Sequence, residues 1–247
     1  MDKAPQMKMA LQAVGEYYTQ KVASFGATAK GADWRDEESQ NLRFAQLAKV
    51  LEGDNDASVC DLGCGYGAFA GYLRSIGHVG DYEGVDVSEQ MIREAHQLLG
   101  GDKHCRLTLG ECPARKADYV CASGIFNVKL GANSVAWERH VYDVIDVMVD
   151  SAVKGVAFNC LTSYSDADRM QDYLHYASPS KILEYCARKH SRWVELSHDY
   201  GLFEFTLRLR LDRSWPRIPS DYSETTLDYA VDGKQSTKRP ETRGFAK

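Results

Sequence analysis

The sequence has no hydrophobic run long enough to cross a membrane. A membrane-spanning helix needs about 20 consecutive apolar residues, and no apolar stretch of this 247-residue chain reaches that length. The amino-terminal segment MDKAPQMKMALQAV is interrupted by an aspartate and by lysines, so it lacks the apolar core of a secretory signal. We therefore expect a protein that does not insert into a membrane and that works in the cytoplasm.

The chain also lacks the paired cysteine spacing that is typical of a zinc site or a disulfide framework. Its seven cysteines are odd in number and scattered, and several fall in predicted strands, where a reduced thiol acts as a small core side chain. We predict no metal site. An excess of positive charge is missing too: the formal net charge is −5, which argues against nucleic acid as the main partner.

What the sequence does contain is one informative stretch, ASVCDLGCGYGAFAGYL at positions 57–73. A short apolar run ends in Asp61, glycines follow at Gly63, Gly65 and Gly67, and an apolar-periodic segment begins after them. This order predicts a strand, a tight loop and the start of a helix, with glycines where a ligand must approach the backbone. The free N–H groups at such a helix start favour a nucleotide-like ligand.

The charge beside the loop discriminates between nucleotide-like ligands. Gly63, Gly65 and Ala68 fit the G-x-G-x-x-G/A pattern of dinucleotide-binding folds, in which the loop holds a pyrophosphate. Asp61 stands just before that loop, and its carboxylate would repel a diphosphate by about 1 to 4 kcal/mol. S-adenosylmethionine has no phosphate and carries a positive sulfonium and a positive ammonium, so the acid favours it as the cofactor.

From Asp61 to Gly67 the sequence reads DLGCGYG, and here the chain resembles the class I S-adenosylmethionine-dependent methyltransferases, whose first motif is acid-x-G-x-G-x-G. The resemblance implies a cofactor loop that includes Gly63, Cys64 and Gly65 as well as the two ends of the motif.

The second motif of that family is an acid that closes the next strand. Here it is Asp86 in YEGVDVSEQMIREA, with Ser88 as the predicted cap of the following helix. The resemblance implies that Asp86 binds the ribose hydroxyls, since a carboxylate accepts two hydrogen bonds from a cis-diol, and that Val87 and Met91 flank the adenine. A nicotinamide cofactor would use the same acid, so only Asp86 together with Asp61 favours S-adenosylmethionine.

Two later strand ends provide further cofactor contacts in this interpretation. The segment LTLGEC ends with Glu111 where the family often has Gly-Asp facing the adenine amine, although PARKAD follows in place of the usual apolar-proline pair. The segment ADYVCASGIFN has Ser123 near its carboxyl end, the edge at which open α/β sheets bind ligands.

The order of the predicted elements is typical of an open parallel sheet covered by helices. The fold class we predict is α/β: a Rossmann-like methyltransferase sheet, mostly parallel with a reversed C-terminal hairpin strand, and helices on both faces. The alternation in FEFTLRLRL predicts a final edge strand that is half exposed. Helices are expected over 3–25, 37–51, 135–153 and 166–190, the last interrupted at Pro179 after a cap at Ser178. The predicted divisions are a helical cap over 1–52 in the same domain, a methyltransferase core over 53–213 and a polar tail over 214–247.

Five residues outside the cofactor motifs are predicted to face the substrate or to form a lid. Tyr18 and Trp34 precede the glycine loop, where the amino-terminal helices of related small-molecule methyltransferases close over the pocket. Arg43 could hold a carboxylate with two hydrogen bonds. Asn127 closes a predicted strand at the ligand-binding edge, and His198 lies in the predicted hairpin.

The function these residues indicate is S-adenosylmethionine-dependent methyl transfer to an oxygen, nitrogen or carbon of a small metabolite. No catalytic residue is assigned. The alternatives are a protein that binds the cofactor without turnover, a tRNA or protein methyltransferase, and an NAD(P)-dependent dehydrogenase. The last is suggested by YCARK at 185–189, which matches the Y-x-x-x-K pattern of short-chain dehydrogenases. That family begins with its glycine loop near the amino terminus, whereas two predicted helices precede the loop here.

Overall fold

A computed structural model describes residues 3–214, with side chains from Gln6 onward. These residues form a seven-stranded sheet and six α-helices. The strands are β1 (Val59–Leu62), β2 (Tyr82–Asp86), β3 (Cys105–Leu109), β4 (Ala117–Ala122), β5 (Ala152–Leu161), β6 (Val194–Ser197) and β7 (Glu204–Arg210). The helices are α1 (Lys3–Phe25), α2 (Glu37–Ala48), α3 (Ala68–Ser75), α4 (Glu89–Leu99), α5 (Ser134–Ser151) and α6 (Pro179–Lys189). Short 3-10 turns cover Lys30–Ala32, Lys49–Leu51 and Ala167–Arg169.

The strand order in the sheet is β3-β2-β1-β4-β5-β7-β6. All pairs from β3 to β5 are parallel, whereas β7 runs antiparallel to both β5 and β6. The order reverses between β1 and β4, so the connections on either side of this point diverge and leave a crevice at the carboxyl ends of the strands. The predicted mostly parallel sheet with a reversed C-terminal strand is confirmed.

Two layers of helices cover the sheet, because alternate residues of each strand point to opposite faces. On β4, Val120 contributes to a core that contains Trp137 and Ile145 of α5, together with side chains of α1 and α6. The next residue, Cys121, contributes to the core on the other face, with Leu47 of α2 and side chains of α3 and α4. The sheet is therefore buried on both faces, as predicted.

The helix caps follow from the local sequence. The hydroxyl of Ser88 accepts a hydrogen bond from the backbone N–H of Met91 at 3.2 Å, which starts α4 directly after β2. At α6, the Ser178 hydroxyl caps the helix and Pro179 takes the first position, where no backbone N–H is needed. Both predicted caps are confirmed.

The predicted helix over 166–190 is wrong in its first half. Only the 3-10 turn Ala167–Arg169 and α6 are helical there. The intervening segment is extended, with Leu174 bridging Val128 and Ala177 bridging Thr162. Hydrogen bonds to these neighbouring loops satisfy its backbone, so tertiary pairing replaces the local helical preference.

The predicted half-exposed edge strand is also corrected. β7 lies between β5 and β6, and six of its seven residues are buried. Its polar side chains are covered because they find partners on α2: Arg208 donates to the carbonyl oxygen of Gln46, and Glu204 pairs with Arg43. The apolar–polar alternation thus marks a buried polar layer and not a solvated face.

Among the described residues, no helix combines the length and the apolar content that a bilayer crossing requires. Apart from Ser214, the predicted polar tail over 214–247 lies outside the described residues. The division of the remainder into a cap over 1–52 and a core over 53–213 stays a prediction.

Candidate active site

A cavity of about 470 Å³ opens at the carboxyl ends of β1, β2 and β4, in the size range of small-ligand pockets. Its walls come from the loop after β1, the ends of the neighbouring strands, the amino-terminal segment and α5. Nine of the ten predicted cofactor residues line it: Asp61, Gly63, Cys64, Gly65, Asp86, Val87, Met91, Glu111 and Ser123.

The glycine loop requires its glycines for two different reasons. Gly63 has φ +75°, and a Cβ there would lie 2.1 Å from Cγ2 of Ile125, so a side chain has neither the backbone geometry nor the space. Gly67 has φ +86° at the start of α3, where a Cβ would lie 2.5 Å from Cδ1 of Leu99. Gly67 does not line the cavity. The absence of a side chain at this position instead lets α3 pack closely against α4.

Asp86 ties this loop to the end of β2. Its carboxylate accepts the N–H of Gly65 on one oxygen at 2.8 Å and the N–H of Ser88 on the other, also at 2.8 Å. Burial raises the pKa of Asp86, and these backbone hydrogen bonds oppose the rise. Since an ionised carboxylate has about four acceptor positions, these backbone bonds leave some accepting capacity for a ligand in the cavity.

Asp61, directly before the glycine loop, is almost completely buried. It is 2 % exposed, and its Oδ2 accepts a hydrogen bond from the Tyr82 hydroxyl at 2.7 Å. Its Oδ1 is buried and has no hydrogen-bond partner among the described residues, and the same holds for Oγ of Ser123 in the same cavity. Burial raises the pKa of Asp61 to about 7, against the hydrogen bond from Tyr82. The carboxyl group is thus poised to ionise when a cation approaches it.

A second wall comes from the segments that precede β1 and from the loop itself. We call the surface formed by Tyr18, Trp34, Gln40, Phe44 and Tyr66 the aromatic wall; all five line the cavity. The Tyr66 hydroxyl donates to Oε1 of Gln40 at 2.9 Å, which links α2 to the glycine loop. This wall is mainly apolar and carries no charged side chain.

The cavity is also lined by Glu111 and Cys112 after β3 and by His140 and Asp143 on α5. His140 packs on Trp137, with ring centroids 5.2 Å apart. Burial lowers the pKa of His140, while Asp143 and Glu111 oppose that decrease. Glu111 and Asp143 are exposed, and Asp143 is paired with Arg139, whose Nε lies 3.0 Å from Oδ1 of Asp143.

Comparison with known proteins identifies the family. Residues 59–146, from β1 into α5, match the model of a methyltransferase domain. The chain is 42% identical over 162 residues to Rv1506c of Mycobacterium tuberculosis (strain ATCC 25618 / H37Rv), which is named as a methyltransferase; the match covers 66% of this chain and 98% of the relative. This chain belongs to the class I S-adenosylmethionine-dependent methyltransferases.

Solved structures agree on the fold of this methyltransferase. The complex of DhpI with S-adenosylhomocysteine superposes with a TM-score of 0.55 at 16% identity, over 84% of this chain and 98% of that one. The N-methyltransferase NodS from Bradyrhizobium japonicum WM9, also in complex with S-adenosylhomocysteine, gives 0.58 at 15% identity, over 80% of this chain and 98% of that one.

Three residues predicted for the substrate side of the methyltransferase do not line the cavity. Arg43 is buried under Trp34, with its guanidinium 4.1 Å from the ring centroid and its Nε 2.8 Å from Oε2 of Glu204, so it is already paired. Asn127 is used within the fold: its Oδ1 accepts the N–H of Leu161 at 3.1 Å. His198 is exposed and lies edge-on to Tyr164. Of the five substrate or lid residues, Tyr18 and Trp34 do line the cavity.

Sequence reasoning missed Gln40, Tyr66, His140 and Asp143. The position of Tyr66 between two loop glycines was a usable signal, because such a residue must sit beside the ligand. Gln40 and the α5 pair carry no comparable signal, since a polar residue on a helix is usually solvated and only the packing of α2 and α5 onto the sheet places these residues at the cavity.

The Y-x-x-x-K pattern has a structural explanation in the methyltransferase. The Tyr185 hydroxyl donates to Oδ1 of Asp146 at 2.7 Å, and Lys189 donates to Oδ2 at 2.5 Å. Neither lines the cavity, so the pair fastens α6 to α5 and gives no support to a dehydrogenase.

The residues present suit S-adenosylmethionine. The glycine loop leaves backbone open to the cavity, Asp86 retains accepting capacity for a diol, and Oδ1 of Asp61 is a buried acceptor that has no donor among residues 3–214. A ligand with an ammonium group would supply that donor. Within residues 3–214 no group of three or more His, Cys, Asp or Glu side chains is placed to hold a metal ion.

Proposed function

We propose that this methyltransferase binds S-adenosylmethionine in the cavity and transfers its methyl group to an oxygen, nitrogen or carbon atom of a small metabolite. The observation that carries the proposal is the set of chargeable side chains in the cavity: the carboxyl groups of Asp61, Asp86, Glu111 and Asp143 line it, and no Lys or Arg of the described part of the chain does. A cavity of this kind favours a cationic donor over a diphosphate.

The proposed contacts follow from the positions of the side chains. Asp86 would accept the ribose hydroxyls, Val87 and Met91 would flank the adenine, and Glu111 would lie near its amine. Oδ1 of Asp61 and Oγ of Ser123, which have no hydrogen-bond partner among the described residues, would hold the methionine portion. These assignments rest on geometry and on the family motifs together.

The chemistry asks mainly for alignment. The cofactor supplies a methyl group that is activated by its sulfonium, and the acceptor's lone pair forms the new bond as the carbon–sulfur bond breaks and sulfur keeps the electrons. The residues of this chain would hold the two reactants close to collinear. A proton lost by the acceptor would pass to water.

The size of the acceptor is suggested by the covering of the cavity. Leu11, Val14 and Tyr18 of α1 line the cavity, and so does the segment with Trp34. A cavity walled by a helix on this side suits a small molecule better than a nucleic acid or a protein, and the net charge of −5 points the same way. We infer that it works in the cytoplasm, since all seven cysteines are unpaired.

The proposal is tested by calorimetric titration with S-adenosylmethionine and S-adenosylhomocysteine. We expect Asp86→Ala to weaken binding of both by about 10-fold or more, because the diol loses a charge-assisted acceptor. Asp150→Ala, at an exposed position on α5, is the matched control and should leave the affinity unchanged. Equal affinity of the Asp86 variant and the control would contradict the proposed site.

The acceptor class is tested by incubation with methyl-labelled cofactor and a cell extract that contains metabolites, RNA and protein. Label in the ultrafiltrate that passes a membrane retaining macromolecules supports the proposal. Label in the retained RNA or protein overturns the small-metabolite assignment, and cofactor binding without any label indicates the alternative of binding without turnover.

A further inference from the structure

The aromatic wall adjoins the cofactor loop, so it is placed to hold the second reactant. Tyr66 lies between the loop glycines Gly65 and Gly67. The indole of Trp34 lies against Gly124, where a Cβ would be 2.5 Å from Cη2 of the ring. Gly124 follows Ser123 directly, so the wall begins where the proposed contacts of the methionine portion end.

The indole ring of Trp34 is held in position by a buried network. Arg43 stacks behind Trp34, and its charge is balanced by the fully buried Glu204. Glu204 in turn accepts the amide N–H of Asn159, whose Oδ1 accepts the N–H of Gly124 at 2.7 Å. One buried network therefore fixes both Trp34 and the backbone it contacts.

The wall offers hydrogen-bonding groups without charge. Oε1 of Gln40 is used by Tyr66, whereas Nε2 of Gln40 has no hydrogen bond within the described residues. Burial raises the pKa of Tyr18, so its hydroxyl stays protonated at neutral pH. Each group can bond a neutral oxygen or nitrogen, and neither can neutralise an anion.

We propose that the acceptor is an uncharged aromatic compound that lies against the aromatic wall and receives the methyl group on a hydroxyl oxygen or a ring nitrogen. This proposal rests on the proposed function. An anionic acceptor would lie in the same cavity as the enclosed carboxyl groups of Asp61 and Asp86, and no Lys or Arg of the described chain lines that cavity. A cationic acceptor would be repelled by the sulfonium beside it. Neutral rings gain apolar burial and stacking against the wall.

Methyl transfer to such an acceptor needs no reactant besides the cofactor and water. A lone pair of the acceptor oxygen or nitrogen forms the bond to the methyl carbon, the carbon–sulfur bond breaks with its electrons on sulfur, and the acceptor's O–H or N–H proton passes to water. The products are the methylated ring compound and S-adenosylhomocysteine.

The proposal is tested by ligand-observed NMR with two matched probes, neutral 2-naphthol and anionic 2-naphthoate, at neutral pH and with the protein saturated with S-adenosylhomocysteine. We expect 2-naphthol to bind about 10-fold or more tightly than 2-naphthoate. Equal or tighter binding of 2-naphthoate, or no binding of 2-naphthol, overturns the proposal.

Variants place the probe on the wall. Trp34→Leu should weaken 2-naphthol binding by about 5-fold or more, because the ring loses its stacking partner, whereas Phe25→Ala, which removes an exposed ring outside the cavity, should not change it. Unchanged binding in the Trp34 variant overturns the placement.

A second variant tests the placement even if Trp34→Leu folds poorly. Ala32→Lys adds a cation at another position that lines the cavity, and it should raise the affinity for 2-naphthoate by about 10-fold. An unchanged affinity of this variant for 2-naphthoate overturns the placement. Failure of S-adenosylhomocysteine to bind the wild-type protein would instead overturn the proposed function.

Discussion

Among single residues, Asp61 is notable for a buried carboxyl group whose pKa is strongly raised. Burial raises its pKa to about 7, whereas an unfolded chain has an aspartate pKa near 3.9. Between these two values the folded, ligand-free protein binds a proton that the unfolded chain has released. The contribution of Asp61 to stability is therefore fully present below about pH 4 and is lost as the pH rises through about 7.

Asp61→Asn should remove this dependence. At pH 7.5 we expect the variant without ligand to have a free energy of unfolding about 1 to 3 kcal/mol above the wild type, and at pH 4 to differ little, because the wild-type group is then largely neutral. Urea denaturation at both pH values measures the two differences. Equal differences at the two values would contradict the raised pKa.

The same variant should bind S-adenosylmethionine differently with pH. Ionised Asp61 attracts a cation, so the wild-type affinity should rise by about 5-fold or more from pH 5.5 to pH 7.5, while the Asn variant should show a flatter profile. Comparing the two proteins by calorimetry cancels the titration of the ligand itself. Parallel profiles would remove Asp61 from the proposed site.

At the scale of elements, α2 is fastened to β7 by a buried ion pair. Arg43 and Glu204 lie 2.8 Å apart with side chains 10% and 0% exposed. Burial raises the pKa of Glu204, and Arg43 opposes that rise. Because a buried charge without its partner is costly, the pair joins the two elements firmly even where its net contribution to stability is small.

Glu204→Gln should lower the free energy of unfolding by about 3 kcal/mol, since it leaves the Arg43 guanidinium buried without a counter-charge. Denaturant unfolding measures the change. The control is Glu89→Gln, which breaks the exposed pair of Glu89 with Arg93 on α4 and should cost less than about 1 kcal/mol. The double variant Arg43→Met, Glu204→Gln should recover part of the loss, and an equal cost for both single changes would contradict the burial argument.

Elements also show where the sequence is a sufficient guide. The glycine loop, α1 and the Ser88 and Ser178 caps were predictable because their signals are local: spacing, composition and a hydroxyl three residues before its partner. The extended segment before α6 and the buried position of β7 were not, because partners distant in the chain decide both. The alternation of FEFTLRLRL is the same whether its polar residues meet water or meet α2.

At the scale of the whole molecule, α1 covers the cavity from one side. Leu11, Val14 and Tyr18 of this helix line the cavity, and Thr19 is hydrogen-bonded to Ser88 across a distance of 2.8 Å. Tyr17 and Lys21 both bond Asp33, which joins α1 to the segment with Trp34. The helix is thus attached to the cofactor strand end and to the aromatic wall.

Cofactor binding should therefore slow amide hydrogen exchange in α1. With S-adenosylhomocysteine at about 100 times its dissociation constant, the native state gains about 2.7 kcal/mol relative to ligand-free open states. Mass spectrometry should show slower exchange in peptides over residues 11–18 and 61–67, with a smaller change in α6, which does not line the cavity. The Asp86→Ala protein at the same ligand concentration is the control, and equal protection of α1 and α6 would contradict the covering role.

Local sequence is enough to identify the family, the strand that carries the glycine loop and the acid at the next strand end, because each of the two family motifs is an unbroken run whose geometry is set by neighbouring residues. The tertiary structure alone decided which other side chains meet the ligand. Arg43 finds Glu204 161 positions away, and Gln40, Phe44, His140 and Asp143 reach the cavity only because α2 and α5 pack on opposite faces of the sheet. The burial of Asp61, and with it its raised pKa, likewise depends on the assembled fold, in which Tyr82 of the neighbouring strand β2 donates to its carboxyl group.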